Sequence, residues 1–186
     1  MSKQVVASKT LDIHLKALES DDGMLRQSAR EALVAIGGAA AGPLARALGN
    51  AKSHQVRWEA AKALGAMSEA RAIPALVAAL EDKDSDVGWL AAEALSQFGA
   101  AAWPALLEAL VAGGAESVLL RQGAHHVFAK QPESRGDGAL AFLQSALEAS
   151  TLPEAVPLAA NELMKQLCDI NENNAAKASA APAAIA

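Results

Sequence analysis

The chain has 186 residues, of which 52% are hydrophobic but only 3% are aromatic, and its formal net charge is −5. This acidic balance argues against binding to duplex nucleic acid, for which a basic stripe is expected. The single cysteine excludes an internal disulfide framework. Because Lys3, Lys9 and Lys16 interrupt the N-terminal segment, the sequence predicts neither a secretory signal nor a membrane span, and we expect a cytoplasmic protein.

The first predicted elements are a frayed N-terminus at residues 1–8 and a lone helix that ends near Leu18. This helix begins at Lys9 or Thr10 and aligns with the second helix of the repeats that follow it. We therefore expect it to cap the N-terminal end of a stack. A pair of carboxylates ending at Asp22 then caps the first full repeat, as the helix dipole favours.

The stretch 56–80 shows the repeating unit most clearly and contains two short predicted helices. Apolar residues at helical spacing predict the first helix, and a polar turn follows at residues 68–71. Pro74 lies in the first turn of the second helix, where its missing N–H costs nothing. Neither helix is long enough to be stable alone in water, so each needs neighbours that bury the same stripe.

The unit recurs at a nearly fixed interval along the chain. Leu33, Leu64 and Leu95 are spaced 31 residues apart. Another column contains only small residues, which indicates that each helix packs closely against the preceding repeat. This column contains Ala29, Ala60, Ala91, Ala124 and Ala159, and a proline column contains Pro43, Pro74 and Pro104.

Beyond Leu110 the pattern becomes irregular. The fourth repeat is about six residues longer than the others, and the excess falls in a loop at 130–138, which is either a binding loop or drift near the end of the stack. A closing helix is expected from about Pro153 to Cys168. The Ala-rich tail at 171–186 lacks the branched and aromatic residues needed for ordering, so we expect it to be disordered.

A resemblance to a known family is carried by two segments, Val56–Gly65 (VRWEAAKALG) and Ala72–Leu76 (AIPAL), which are similar to the short HEAT-like repeat of phycobilin lyases and many bacterial adaptor proteins. The repeats on either side match the same pattern, with Gly88 where an arginine usually stands. The resemblance implies an all-α fold, a right-handed α-α superhelix. This HEAT-like solenoid would contain about five helix pairs over residues 9–170.

No group of residues has the pattern of a catalytic or metal site. The histidines are spread along the chain, and none forms the His-Glu pairs that HEAT-like di-iron hydroxylases use. We expect Cys168 to be a buried free thiol that packs as a small hydrophobe. Arg30 occupies a column otherwise filled by alanines, which predicts that this side of the first repeat is open to water. The sequence therefore predicts no cofactor, no metal ion and no enzymatic activity.

The tryptophans are the leading candidates for a binding surface. Trp58 and Trp89 occupy one column, which holds Gln27 and Gln122 in the first and fourth repeats, so this column must touch water. Trp103 aligns instead with a core isoleucine and should be buried. By the resemblance, the face formed by the first helices lines the concave side of the solenoid.

We expect Trp58 and Trp89 to form one aromatic patch with Leu90, because packed helices lie about 8–10 Å apart. Tryptophans in a polar-rimmed concavity are typical anchors of protein interfaces. The alternative is that tryptophan recurs in these repeats because it covers the groove between helices. The predicted partner-binding residues on the concave face are Trp58, Trp89, Leu90, Glu59, Lys62, Glu93, Gln27, Glu31, Gln122 and His126.

Three classes of function follow. The first is a non-enzymatic adaptor that holds a protein partner on its concave face, with no nucleic acid or membrane involved. The second is a bilin lyase or tetrapyrrole-handling chaperone, which only the family resemblance suggests. The third is nucleic-acid repair, because some HEAT-like glycosylases cradle DNA with aromatic and acidic residues, but the acidic balance counts against it.

Overall fold

A computed structural model describes residues 3–131, 138–148 and 152–180. Within these ranges the chain forms ten α-helices and no strand. Short 3-10 turns at Ala70–Ala72 and Gly99–Ala102 precede two of the helices. The helices are α1 (Lys3–Ala17), α2 (Gly23–Ile36), α3 (Gly38–Asn50), α4 (His54–Met67), α5 (Ile73–Ala79), α6 (Ser85–Phe98), α7 (Trp103–Gly113), α8 (Val118–Ala129), α9 (Ala139–Glu148) and α10 (Ala155–Ala180).

Side-chain caps mark the starts of three helices, α2, α6 and α8. The Asp22 carboxylate accepts from the Met24 amide at 2.8 Å, and Asp84 and Ser117 act in the same way at the starts of α6 and α8. Each cap satisfies an amide that has no partner inside the helix. Pro74 lies in the first turn of α5, as predicted.

The helices form two layers, which confirms the predicted all-α solenoid. One layer consists of α2, α4, α6 and α8, each packed against the next, and we call it the first-helix layer. The second layer contains α3, α5 and α7, while α1 covers the N-terminal end through contacts with α2 and α3. Leu33, Leu64 and Leu95 are fully buried between the layers, so the 31-residue column forms the centre of the core.

The alternation of layers ends after α8. Helix α9 packs against α8 and α10, and α10 lies against α7 in the second layer. Helix α10, which contains Ala159, is therefore not part of the first-helix layer, so the column of small residues does not continue into it. Ala159 is nevertheless fully buried. Helix α10 can lie this close to the end of α7 because residue 114 is a glycine: a Cβ atom at Gly114 would lie 2.9 Å from Val156 of α10. Only glycine at the end of α7 leaves room for α10 there.

Both ends of the chain are more helical than the sequence indicated. Helix α1 begins at Lys3, within the segment expected to be frayed, and α10 continues to Ala180, well past the expected start of the disordered tail. Cys168 is exposed, so the prediction of a buried thiol was wrong. The period-breaking part of the 130–138 loop, residues 132–137, lies outside the described residues.

One described stretch, Ser85–Gly113, is long and apolar enough to cross a membrane by length and composition alone. In the fold this stretch is two helices, α6 and α7, separated by the turn at Gly99–Ala102. Helix α6 lies in the first-helix layer and α7 in the second, and each contacts the preceding helix of its layer. Of the apolar window in this stretch, 39% is buried within the stack.

Candidate functional site

The first-helix layer exposes the predicted column of glutamines and tryptophans. Gln27 and Gln122 are exposed, Trp58 is partly buried, and Trp89 is 56% exposed. Trp103 is only 6% exposed and packs edge-on against Phe128, with 5.8 Å between the ring centroids. The expected contrast between the first two tryptophans and the third is therefore present in the fold.

Trp58 lines a cleft of about 240 Å³ at the N-terminal ends of α4 and α6, which we call the Trp58 cleft. The Lys62 ammonium lies over the indole, 4.5 Å from its centroid, one helical turn further along α4. This cation–π contact covers part of the ring. The other residues lining the Trp58 cleft are Arg26, His54, Gln55, Glu59, Asp84 and Asp86.

Glu59 is buried, which differs from its predicted place on the rim of a binding surface. Arg30 of α2 donates to its carboxylate, and Arg26 lies 3.6 Å from the other oxygen. The prediction that Arg30 faces open water was therefore wrong, because its side chain is only 14% exposed. Arg26 and Arg30 thereby link the first repeat to the second, because the buried Glu59 carboxylate requires a cationic partner.

Trp89 lines a larger cleft of about 580 Å³ between α6 and α8, which we call the Trp89 cleft. Two glycines border it, Gly88 on α6 and Gly123 on α8. A Cβ atom at Gly123 would lie 2.7 Å from Leu80 Cδ2, so the glycine lets Leu80 reach the floor of the cleft. The other lining residues are Asp82, Ser85, Ala92, Leu119, Gln122, His125, His126, Ala129 and Lys130.

Charged groups on α6 and α8 are paired beside the Trp89 cleft. The Glu93 carboxylate accepts from Lys130, and it lies 3.1 Å from His126 Nε2. These hydrogen bonds, with that from Lys130 the stronger, lower the pKa of Glu93. The His126 ring lies 6.2 Å from the Trp89 indole, so this cluster forms a polar wall next to the exposed aromatic.

The remaining predicted residues are more dispersed than expected. Trp58 and Trp89 line separate clefts, so the expected single patch is divided in two. Leu90 packs against the core instead of joining an exposed surface. On α2, Gln27 donates to Glu31 at 2.9 Å, and both residues are exposed.

An ion pair that was not predicted from the sequence links the second repeat to the third. Arg57 is buried, and its Nε and Nη2 atoms donate to both Asp82 carboxylate oxygens at 2.7 and 2.9 Å. The hydrogen bond that Arg57 donates to the Asp82 carboxylate raises the pKa of Arg57 above its ordinary value. Burial opposes ionisation of Asp82, but the bonds from Arg57 and the Asp84 amide outweigh it, so the pKa of Asp82 is lowered. In the sequence, the signal that could have indicated this ion pair was the recurrence of arginine at the column of Arg57.

Within the described ranges, no three histidine, cysteine or acidic side chains converge where they could hold a metal ion. Residues 43–125 match the family model of HEAT repeats. This match confirms the HEAT-like character of the repeats over that part of the chain, which includes Trp58 and Trp89. No curated protein shows a significant match to the chain.

Proposed function

We propose that this protein is a non-enzymatic adaptor that binds a protein partner on its first-helix layer, the concave face implied by the resemblance. HEAT repeats are commonly scaffolds for protein interactions. The observation that supports the proposal most directly is Trp89, a large aromatic side chain that is 56% exposed at the edge of a cleft. Exposed tryptophans of this kind are frequent anchors of protein interfaces.

The surroundings of Trp89 also suit an interface. The paired charges of Glu93 and Lys130 provide a polar rim, while the exposed Leu119 provides apolar surface along the cleft. An apolar centre with a polar rim is the usual anatomy of a protein interface. A partner side chain entering the Trp89 cleft would contact both.

The test compares partner capture by the wild-type chain with capture by a variant carrying both Trp58→Ala and Trp89→Ala. An interface anchor contributes at least about 2 kcal/mol, so we expect the affinity for the captured partner to fall by about 30-fold or more. Leu158→Ala is the matched control, because Leu158 is 70% exposed but lies on α10. Unchanged affinity in the double variant, or its unfolding, would assign the tryptophans to packing.

Tetrapyrrole handling of the phycobilin-lyase type is the second candidate function. The exposed Trp89 indole, with the tilted His126 ring beside it in a cleft of about 580 Å³, is the feature that favours it. A bilin added to the wild-type chain should leave its visible absorbance unchanged if the adaptor proposal is correct. A saturable absorbance change that disappears in Trp89→Ala would instead establish bilin binding in the cleft.

A further inference from the structure

One column of the first-helix layer carries an arginine in three of the four repeats. In each case the guanidinium Nη1 donates to two successive backbone carbonyls of the preceding turn, at 2.8–3.1 Å. These carbonyls follow a helix C-terminus, where cations are favoured. The bonds run from Arg26 to Ser20 and Asp21, from Arg57 to Ala51 and Lys52, and from Arg121 to Gly114 and Ala115.

The third repeat has Gly88 at this column. The equivalent carbonyls belong to Asp82 and Lys83, and no side chain of the described residues donates to them. The end of α5 also comes close to this column, since a Cβ atom at Gly88 would lie 3.2 Å from the Leu80 carbonyl oxygen. The third repeat therefore presents backbone acceptors at a helix C-terminus without the guanidinium that its neighbours supply.

The Trp89 cleft opens at the same place. Leu80, Asp82 and Gly88 form its end nearest α5, and Trp89 follows Gly88 on α6. Of the two residues whose carbonyls lack a side-chain donor, Asp82 lines this cleft, so a cation bound beside Trp89 would lie near that carbonyl oxygen and the indole, both of which attract positive charge.

The charges around the cleft allow the same ligand. On the far wall, Lys130 and His126 are both bound to Glu93, and His125 lies 3.4 Å from Glu148, so the basic groups there already have carboxylate partners. At the α5 end, the Asp82 carboxylate is already paired with Arg57, so a cation would be attracted there by backbone carbonyl oxygens and not by that carboxylate. The basic groups on the far wall are therefore compensated by Glu93 and Glu148 and do not repel a cation that enters from the α5 end.

We propose that the Trp89 cleft binds an arginine side chain of the protein partner, whose guanidinium takes the place of the arginine missing from the third repeat. Its planar donors match carbonyl oxygens and it stacks on indole, whereas a lysine ammonium offers a single point of charge. This inference rests on the proposed adaptor function and specifies what the partner brings to the site.

The probe is the peptide acetyl-Ala-Ala-Arg-Ala-Ala-amide, compared with peptides in which citrulline or lysine replaces the arginine. Binding to the full chain is followed by the amide NMR shifts of Gly88 and Gly123. We expect saturable shifts with the arginine peptide and about tenfold weaker binding of the citrulline peptide, which has the same shape without the charge. Equal binding of these two peptides, or shifts confined to other residues, would overturn the proposal.

Two variants locate the binding. Gly88→Arg supplies the guanidinium within the chain and should lower peptide affinity about tenfold or more, while Gly49→Arg adds the same charge at an open position and should not. Because the Cβ of Gly88→Arg is tightly placed, Trp89→Ala provides a second test and should weaken binding several-fold. Wild-type affinity in both Gly88→Arg and Trp89→Ala would refute the assignment.

Failure of this inference is distinguishable from failure of the adaptor proposal. If a protein partner is captured and lost in the Trp58→Ala and Trp89→Ala double variant, but the arginine peptide does not bind, only the inference is wrong. If the double variant captures the partner as well as the wild type does, the adaptor proposal itself fails.

Discussion

Removal of the Arg57 side chain is the sharpest stability test that this fold offers. Its guanidinium makes four hydrogen bonds, two to the carbonyls of Ala51 and Lys52 and two to the Asp82 carboxylate. The Arg57 and Asp82 side chains are only 4% and 9% exposed. Water therefore cannot easily replace the lost partner of either charge.

Arg57→Met keeps an unbranched apolar side chain but leaves the Asp82 carboxylate without its cation. Breaking a buried ion pair in this way costs about 3–5 kcal/mol, and we expect the free energy of unfolding to fall by that amount in addition to the loss of the two carbonyl bonds. Arg121→Met is the matched control, because the hydrogen bonds of the Arg121 side chain within the described residues are its two carbonyl bonds, each 2.9 Å long. The control loses only carbonyl bonds of the kind that Arg57→Met also loses, so its loss should be smaller by about the 3–5 kcal/mol of the ion pair.

Urea unfolding followed by far-ultraviolet circular dichroism measures both losses by linear extrapolation. Asp82→Asn, alone and combined with Arg57→Met, completes a double-mutant cycle in which the combined loss should be clearly smaller than the sum. The reasoning would be refuted if Arg57→Met cost no more than Arg121→Met. It would also be refuted if the Arg57 and Asp82 variants were additive within about 0.5 kcal/mol.

Three other predictions concern the core, the tail and acid stability. Leu64 is fully buried at the centre of the stack, so Leu64→Ala should cost about 2–5 kcal/mol in urea unfolding, and a loss below about 1 kcal/mol would remove it from the core. Deletion of residues 175–186 should leave the melting temperature unchanged, because the described side chains of α10 beyond Leu167 are exposed; a fall of several degrees would show that the tail docks. The lowered pKa of Asp82 contributes stability that is complete above its unfolded-state value of about 3.9 and is lost as the pH falls through its folded-state value. Thermal melts across the acid range should therefore show a shallower loss of stability in Asp82→Asn than in the wild type, and equal slopes would contradict this.

The layered fold was predictable because it depends on local periodicity. Leu33, Leu64 and Leu95 recur at one spacing, and a helix with one apolar stripe can bury it only against similar neighbours. The end of the stack was less predictable. The position of α10 against α7 depends on the contact between Val156 and Gly114, which are far apart in sequence and belong to no shared column.

The candidate site was predicted in part for the same reason. Exposure of Trp89 followed from the glutamines in its column, since a column samples one environment in every repeat. Burial of Glu59 did not follow, because it depends on Arg30 in another column of another repeat. In the four repeats, the column of Glu59 contains serine, glutamate, leucine and glycine, so the chemical character of this position differs from repeat to repeat.

The polar contacts between neighbouring repeats also determine the order in which the repeats can be arranged. Arg30 requires the carboxylate of Glu59 in the next repeat, and Arg57 requires Asp82 in the one after that. If the second and third repeats exchanged places, Arg30 would face Leu90, and its buried guanidinium would have no counter-ion. The apolar columns are interchangeable between repeats, but the charged residues are not. A shuffled chain would retain its helical pattern but would stack less stably, because these charged residues would lose their partners in the neighbouring repeat.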